Sequence, residues 1–350
     1  MKFSSIFQAN FPFSPLRFPF FYGWCIVIFT TLGMIASIPG QTMGVGVYTD
    51  FLIQNSHLTR MQISMAYMTG TILSSLLLPL AGRYYDLVGG RIMIVFAGIG
   101  MGISLLLFAE SLTIIHLVHS LLPNISILTS ELLVITVIFL LLRQFGQGIM
   151  AMVSRNTLAK WFERRRGMVS GISGIFVAFS FSGAPLFMNI IIEDYGYSGS
   201  MILMAIIFGF GMAFIGWLFF RDKPEDCGLL MDGEKITSLD TTNLFSEPEI
   251  TLKEALRTYN FWIFCLGLCS AAVIVTGLTF HISSIGALAG LSRMEAYGLF
   301  LPISVISVIS HFIAGWASDR MPLKYLLMIL LAGLAVGSLG ILNLESFWFR

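Results

Sequence analysis

An all-α integral membrane fold, built as two helical bundles, is what this sequence predicts, on three observations. Only 11% of its 350 residues are charged and 56% are hydrophobic, where a soluble domain carries about 25% charged residues. Uncharged stretches near the ~20 residues needed to cross a bilayer core recur along the chain. One long polar stretch, 221–258, separates six such stretches from three more.

The predicted spans are 18–49, 61–82, 92–109, 132–154, 167–192, 196–220, 259–289, 296–318 and 325–344. The first is interrupted by Pro39-Gly40, and the fourth carries one charge, Arg143. Residues 110–131 hold Glu110, His116, His119, Pro123 and Glu131. Their apolar run is too short to cross, so they read as an enlarged loop at the interface. The domains expected are an interfacial N-terminus (1–20), a six-helix bundle (21–220), a linker (221–258) and a partial second bundle of three helices (259–350). The Phe- and Pro-rich start through Trp24 suits a membrane interface.

Orientation follows from the basic residues. With the N-terminus in the cytoplasm, sixteen of the 20 Lys and Arg fall on the inner side. Arg60, Arg293 and Arg350 fall on the outer side, and Arg143 lies within a span. That bias obeys the positive-inside rule and predicts a multi-pass protein of the plasma membrane, or of the inner membrane if the source is bacterial. Residues 1–20 lack a small-residue cleavage site, so the first span itself serves as the insertion signal.

The composition excludes several classes. A net charge of +1 gives no field to recruit nucleic acid. Four cysteines form no framework. No phosphate loop, zinc spacing or nucleophile elbow occurs, so neither a cofactor, a metal nor an enzymatic activity is expected. His116 and His119 are two potential ligands, short of a metal site.

Three motifs carry chemistry. Gly82, Asp86, Gly89 and Arg91 stand where the second and third spans turn, an acid flanked by bases that can latch neighbouring helix ends. Gly315, Asp319 and Arg320 repeat the glycine-to-aspartate spacing between the eighth and ninth spans. Arg143 precedes Gly146 and Gly148 at the middle of the fourth span. A charge there costs about 2.5–3.5 kcal/mol on insertion scales, so it should face a cavity or a partner.

The first motif resembles the loop signature of the major facilitator superfamily, departing from it at Leu87, where a base is usual. Arg143 with its glycines looks like that family's fourth-helix motif. Trp161-Phe162 with Arg165-Arg166-Gly167, Tyr195-Gly196-Tyr197, the segment Arg221 to Gly228, and Thr251 to Phe261-Trp262 resemble the monocarboxylate-transporter-like and oxalate/formate-antiporter-like branches. The resemblance covers about residues 20–345. It implies a major facilitator fold whose second bundle is incomplete, nine of the usual twelve spans being present. It also implies secondary active transport of a small organic solute, an organic anion such as a monocarboxylate, by alternating access. Coupling would be to protons or a counter-solute, within a lipid bilayer. The alternative is a transport-inactive truncated member acting as a sensor or scaffold. One departure is that 296–318 holds no Lys or Arg, only His311, so an anion site would lean on Arg143 or on spans this chain lacks.

Gln41 and Thr42, beside the Pro39-Gly40 break, are candidates to line a cavity, because a kink frees backbone groups. His281 is a candidate for proton coupling, since imidazole titrates near neutral pH. Asp50 is expected in solvent, and Lys160, Trp161 and the three arginines after them at anionic headgroups. The glycine runs 98–102 and 167–174 are expected to serve close helix packing.

Overall fold

The structure is a computed structural model that describes residues 7–233, 252–318 and 320–342, except the side chains of 252, 253, 293, 304, 311, 316, 318 and 342. Among the described residues there is no β-strand. The chain divides into two compact units, 1–234 and 235–350.

The first unit holds six crossings. The first is made of α1 (Gly23–Ala36) and α2 (Thr42–Asn55), joined by a 3-10 turn at Ile38–Gly40. Pro39 removes a backbone donor and Gly40 follows it, a pair that favours a break there. α3 (Arg60–Val88) opens on a capping box, in which Thr59 and Gln62 satisfy each other's backbone N–H groups. It stops at Gly89, whose φ of +86° glycine adopts without strain. α4 is Gly90–Ala109, and α5 (Ser111–Leu121) is the 11-residue helix found in the expected interfacial loop. α6 runs continuously over Ile127–Trp161, with Ser126 as its N-cap.

α7 runs over Arg166–Phe219, 54 residues. At 1.5 Å per residue it would measure about 80 Å, more than two hydrocarbon thicknesses. Gly196, with φ +68°, breaks it into two legs that cross separately. Tyr197 and Ser198 donate to the carbonyls of Phe108 and Ala109 at one end. The second leg returns to the other end, where Trp217 O accepts from Arg91. That end also gathers the 155–166 turn: Lys160 Nζ lies 4.2 Å from the Tyr85 ring centroid, and Trp161 Nε1 donates to Arg221 O at 3.1 Å. The turns at 83–91 and 155–166 thus share one end, called the basic end below.

Glycine sets the tightest helix contacts. A β-carbon on Gly209 would lie 2.4 Å from Gly102 Cα, and one on Gly98 would lie 2.7 Å from Ala213 N. α4 and the second leg of α7 therefore touch backbone to backbone, as expected of the 98–102 run. Gly167 and Gly171 have no such neighbour among the described residues.

The second unit comprises α8 (Tyr259–Leu288), α9 (Phe300–Ser318) and α10 (Leu323–Leu342), with a short capped helix, Arg293–Gly298, before α9. Among the described residues, eight continuous helices are long and apolar enough to cross a membrane. The break at Gly196 makes these nine crossings, the number read from the sequence. Their outward side chains are apolar, as with Leu76 at 68% exposure and Val273 at 72%, a surface suited to lipid and not to water. The protein is therefore a multi-pass, all-α membrane protein.

Gly209→Leu is expected to force α4 and α7 apart and to destabilise by about 1–3 kcal/mol or more, as overpacking does. Gly171→Ala, at a position with open space, should stay within about 0.5 kcal/mol of wild type. Thermal denaturation of the detergent-solubilised chain checks both.

Candidate functional site

α6 departs from α-geometry where its motif lies. Residues Arg143–Met150 form a π-helical segment, in which the wider turn carries an extra residue. Neighbours in sequence, Arg143 and Gln144, are both buried there. Gln144 Oε1 accepts from Ser74 Oγ of α3 at 2.9 Å. Gly146 lets the broken first span come close, since its β-carbon would lie 2.9 Å from Gly40 Cα. On the other side, a β-carbon on Gly40 would lie 2.2 Å from Leu142 O.

This approach brings the Pro39-Gly40 break against Arg143. Arg143 Nη1 donates to Gly40 O over a long 3.4 Å. Its guanidinium carbon sits over the Tyr67 ring of α3, 5.3 Å from the centroid. Tyr67 Oη and Thr42 Oγ1 share a hydrogen bond of 2.9 Å. Gln41 Nε2 donates to Ser37 Oγ at 3.0 Å, on the rim of the same break. Among the described residues no carboxylate forms an ion pair with Arg143. Of the sequence candidates, Arg143, Thr42 and Gln41 thus gather around one break. Tyr67 and the Gly40 carbonyl were not singled out in the sequence. A tyrosine hydroxyl in the middle of an uncharged span was the available signal for Tyr67.

His281 lies in α8 of the other unit, half-buried, with its ring 5.0 Å edge-on from that of Phe280. Gly315 lies within α9, Arg320 is exposed just after it, and its N–H donates to Ala317 O at 3.0 Å. Asp319, the His311 side chain and residues 234–251 of the linker lie outside the described residues.

At the basic end the first motif is nearly all helical. Gly82 and Asp86 sit on the last turns of α3, Asp86 being exposed. Gly89 makes the turn, and Arg91 opens α4 fully buried. The Arg91 guanidinium donates to the carbonyls of Gln8, Phe11 and Trp217. Arg221 does likewise to Ala9, Phe11, Leu218 and Phe220. Two arginines therefore hold the N-terminal segment onto the ends of α4 and α7.

The polar stretch after α7 folds back on the same end. Asp222 Oδ1 accepts from Arg91 N at 2.7 Å, capping α4, and its carboxylate fills the space a Gly89 side chain would need. Asp232 accepts from the N–H groups of Glu163, Arg164 and Arg165 at 2.8–3.2 Å. Burial raises the Asp222 carboxyl above its ordinary value, against the bonds from Arg91 and Gly90 N–H. Burial lowers the Arg221 guanidinium.

Two expectations need correction. Trp161 is fully buried, because its ring packs on Phe21 and Tyr22 and its N–H is used by Arg221 O. Lys160 is half-buried, whereas Arg164, Arg165 and Arg166 are exposed. Asp50 is not left to solvent but pairs with Arg60. Glu131 is likewise buried, and accepts from His57 N at 3.1 Å with His57 Nδ1 2.8 Å away.

A six-crossing unit with a buried arginine at the centre of its fourth crossing can now be set beside known families. The family model of the Major Facilitator Superfamily matches residues 26–349, nearly the whole chain. The chain belongs to the Major Facilitator Superfamily. Members of this superfamily are secondary transporters of small solutes and not enzymes. No match is found among curated proteins. In this superfamily member the motif positions are thus distributed over both units, with Arg143 the buried cation at mid-span of the first.

Replacing Asp222 separates its two roles. Its raised pKa means that folding disfavours the ionised form, so this group adds nothing to stability below about pH 4. It subtracts increasingly as pH rises through the raised value. Asp222→Asn keeps an acceptor for Arg91 N–H and should flatten that loss. Asp222→Ala removes the cap and should cost about 0.5–2 kcal/mol. Thermal melts between pH 4 and pH 8 check the sign.

Proposed function

We propose that this chain transports a small organic anion, a monocarboxylate in first place, by alternating access, with coupling to protons or a counter-solute. The single observation that carries this is Arg143. It is a guanidinium buried at mid-span, with a long hydrogen bond to Gly40 O, the ring and hydroxyl of Tyr67 beside it, and no carboxylate partner among the described residues. A buried charge left so lightly compensated inside a membrane protein is a functional group by default. One cation among hydroxyl and amide groups suits a singly charged solute. Thr42 and Gln41 would contribute hydrogen bonds from the broken first span.

The remaining assignments rest on the sequence. Gly82, Asp86, Gly89 and Arg91, with Gly315, Asp319 and Arg320, would act as paired latches at the basic end of each unit. His281 would carry the coupling proton. The Lys and Arg bias favours a cytoplasmic basic end and N-terminus in the plasma membrane. The Trp161, Tyr195 and Arg221 motifs favour the monocarboxylate and oxalate/formate branches.

Reconstituted in proteoliposomes, the protein should take up labelled formate, acetate or lactate saturably. Dissipating the pH gradient, or emptying the vesicles of counter-anion, should abolish that uptake. Arg143→Gln should lower uptake efficiency by about 10- to 100-fold, the range for a hydrogen bond to a charged group. Wild-type rates in Arg143→Gln would refute the assignment.

A further inference from the structure

We infer that Tyr67 is the positioning residue of the anion site: its ring face aims the Arg143 guanidinium so that the in-plane N–H edge is left for a planar carboxylate. The inference rests on the reading of Arg143 as the anion-binding group.

An arginine side chain is long and flexible, and ordering it costs on the order of 2 kcal/mol of rotamer entropy. The 3.4 Å bond to Gly40 O is too long to fix the guanidinium by itself. Tyr67 supplies what is missing, because its own ring is held from two sides. Its hydroxyl is tied to Thr42 Oγ1 at 2.9 Å. Its ring meets Phe139, a fully buried side chain of α6, at 5.6 Å and 88°. Phe139 in turn packs on Phe108 at 5.8 Å. The ring is therefore an anchored plate, buried at 5% exposure, and the guanidinium lies over it.

A ring face and a carboxylate use different parts of a guanidinium. The π-system attracts the planar cation through its face. A carboxylate binds through two parallel N–H groups at the edge. The Tyr67 ring covers the guanidinium from one side and its hydroxyl draws on only part of the five N–H donors, so the others remain for an anion. It also restricts approach to the edge, which favours a planar, bidentate acceptor. Tyr67 comes from α3, Arg143 from α6 and Thr42 from α2, so three crossings fix the geometry together.

The test measures uptake of labelled acetate and formate by the full chain in proteoliposomes, with rates normalised to folded protein. Tyr67→Leu removes the ring face and should raise KM by about 3- to 30-fold, the range of a buried cation–π contact. Vmax should stay within about twofold. Tyr67→Phe keeps the face and should remain within about threefold of the wild-type KM. If Tyr67→Leu does not fold, Tyr67→Met, which also lacks a ring, takes its place with the same expectation. A KM unchanged by loss of the ring, while Arg143→Gln still lowers uptake efficiency about 10- to 100-fold, overturns this inference and leaves the anion site standing. Equal impairment by Phe and Leu also overturns it. Absence of saturable uptake in the wild type, or a wild-type KM in Arg143→Gln, overturns the anion site and this inference with it.

Discussion

In hydrocarbon no water is available to a backbone group freed from its helix, and the first unit is organised by that constraint. Three irregularities in its crossings lie where another helix receives what is exposed. The break at 37–41 lies against α6, with Gly40 O turned to Arg143. The π-helical segment 143–150 lies against that break and against Ser74. The break at Gly196 lies at a bundle end, where Tyr197 and Ser198 bond the last carbonyls of α4. At these three places irregular backbone and polar side chains occur together.

Three buried arginines show how differently one residue type can be used. Arg91 and Arg221 are spent on carbonyls from the N-terminal segment and the end of α7, Arg221 through five hydrogen bonds and Arg91 through four. Their role in this unit is therefore to hold elements together. Arg143 has one long bond to a backbone carbonyl and the ring and hydroxyl of Tyr67 beside it. All three are buried to a similar extent, so burial alone does not separate them. Donor use does, and it singles out Arg143.

Much of this architecture was legible in the sequence, because the signals are strong and local. Twenty apolar residues require a crossing, Pro39-Gly40 requires a break, and a glycine triplet at 98–102 permits backbone contact. Arg143 was legible because a mid-span charge is costly wherever it lies. The misreadings had one source. Trp161 resembles an interfacial tryptophan and Asp50 a solvated acid until tertiary neighbours are known. The rings of Phe21 and Tyr22 lie about 140 residues before Trp161 in the chain. The carbonyls that occupy Arg91 come from residues 8 and 11, about 80 positions before it. No periodicity records such pairings.

Tyr67 was hidden for a related reason. In a span of Met, Leu, Thr and Ser it reads as one more apolar side chain with a polar tip. Its importance comes from α6 laying Arg143 over its face, and from the kink of the first span bringing Thr42 to its hydroxyl. Both depend on Gly40 and Gly146, whose missing β-carbons allow the broken crossing and α6 to touch. The site is thus a consequence of backbone approach. Small residues bring the helices close, closeness brings the polar groups into one place, and the charge is tolerated because of them.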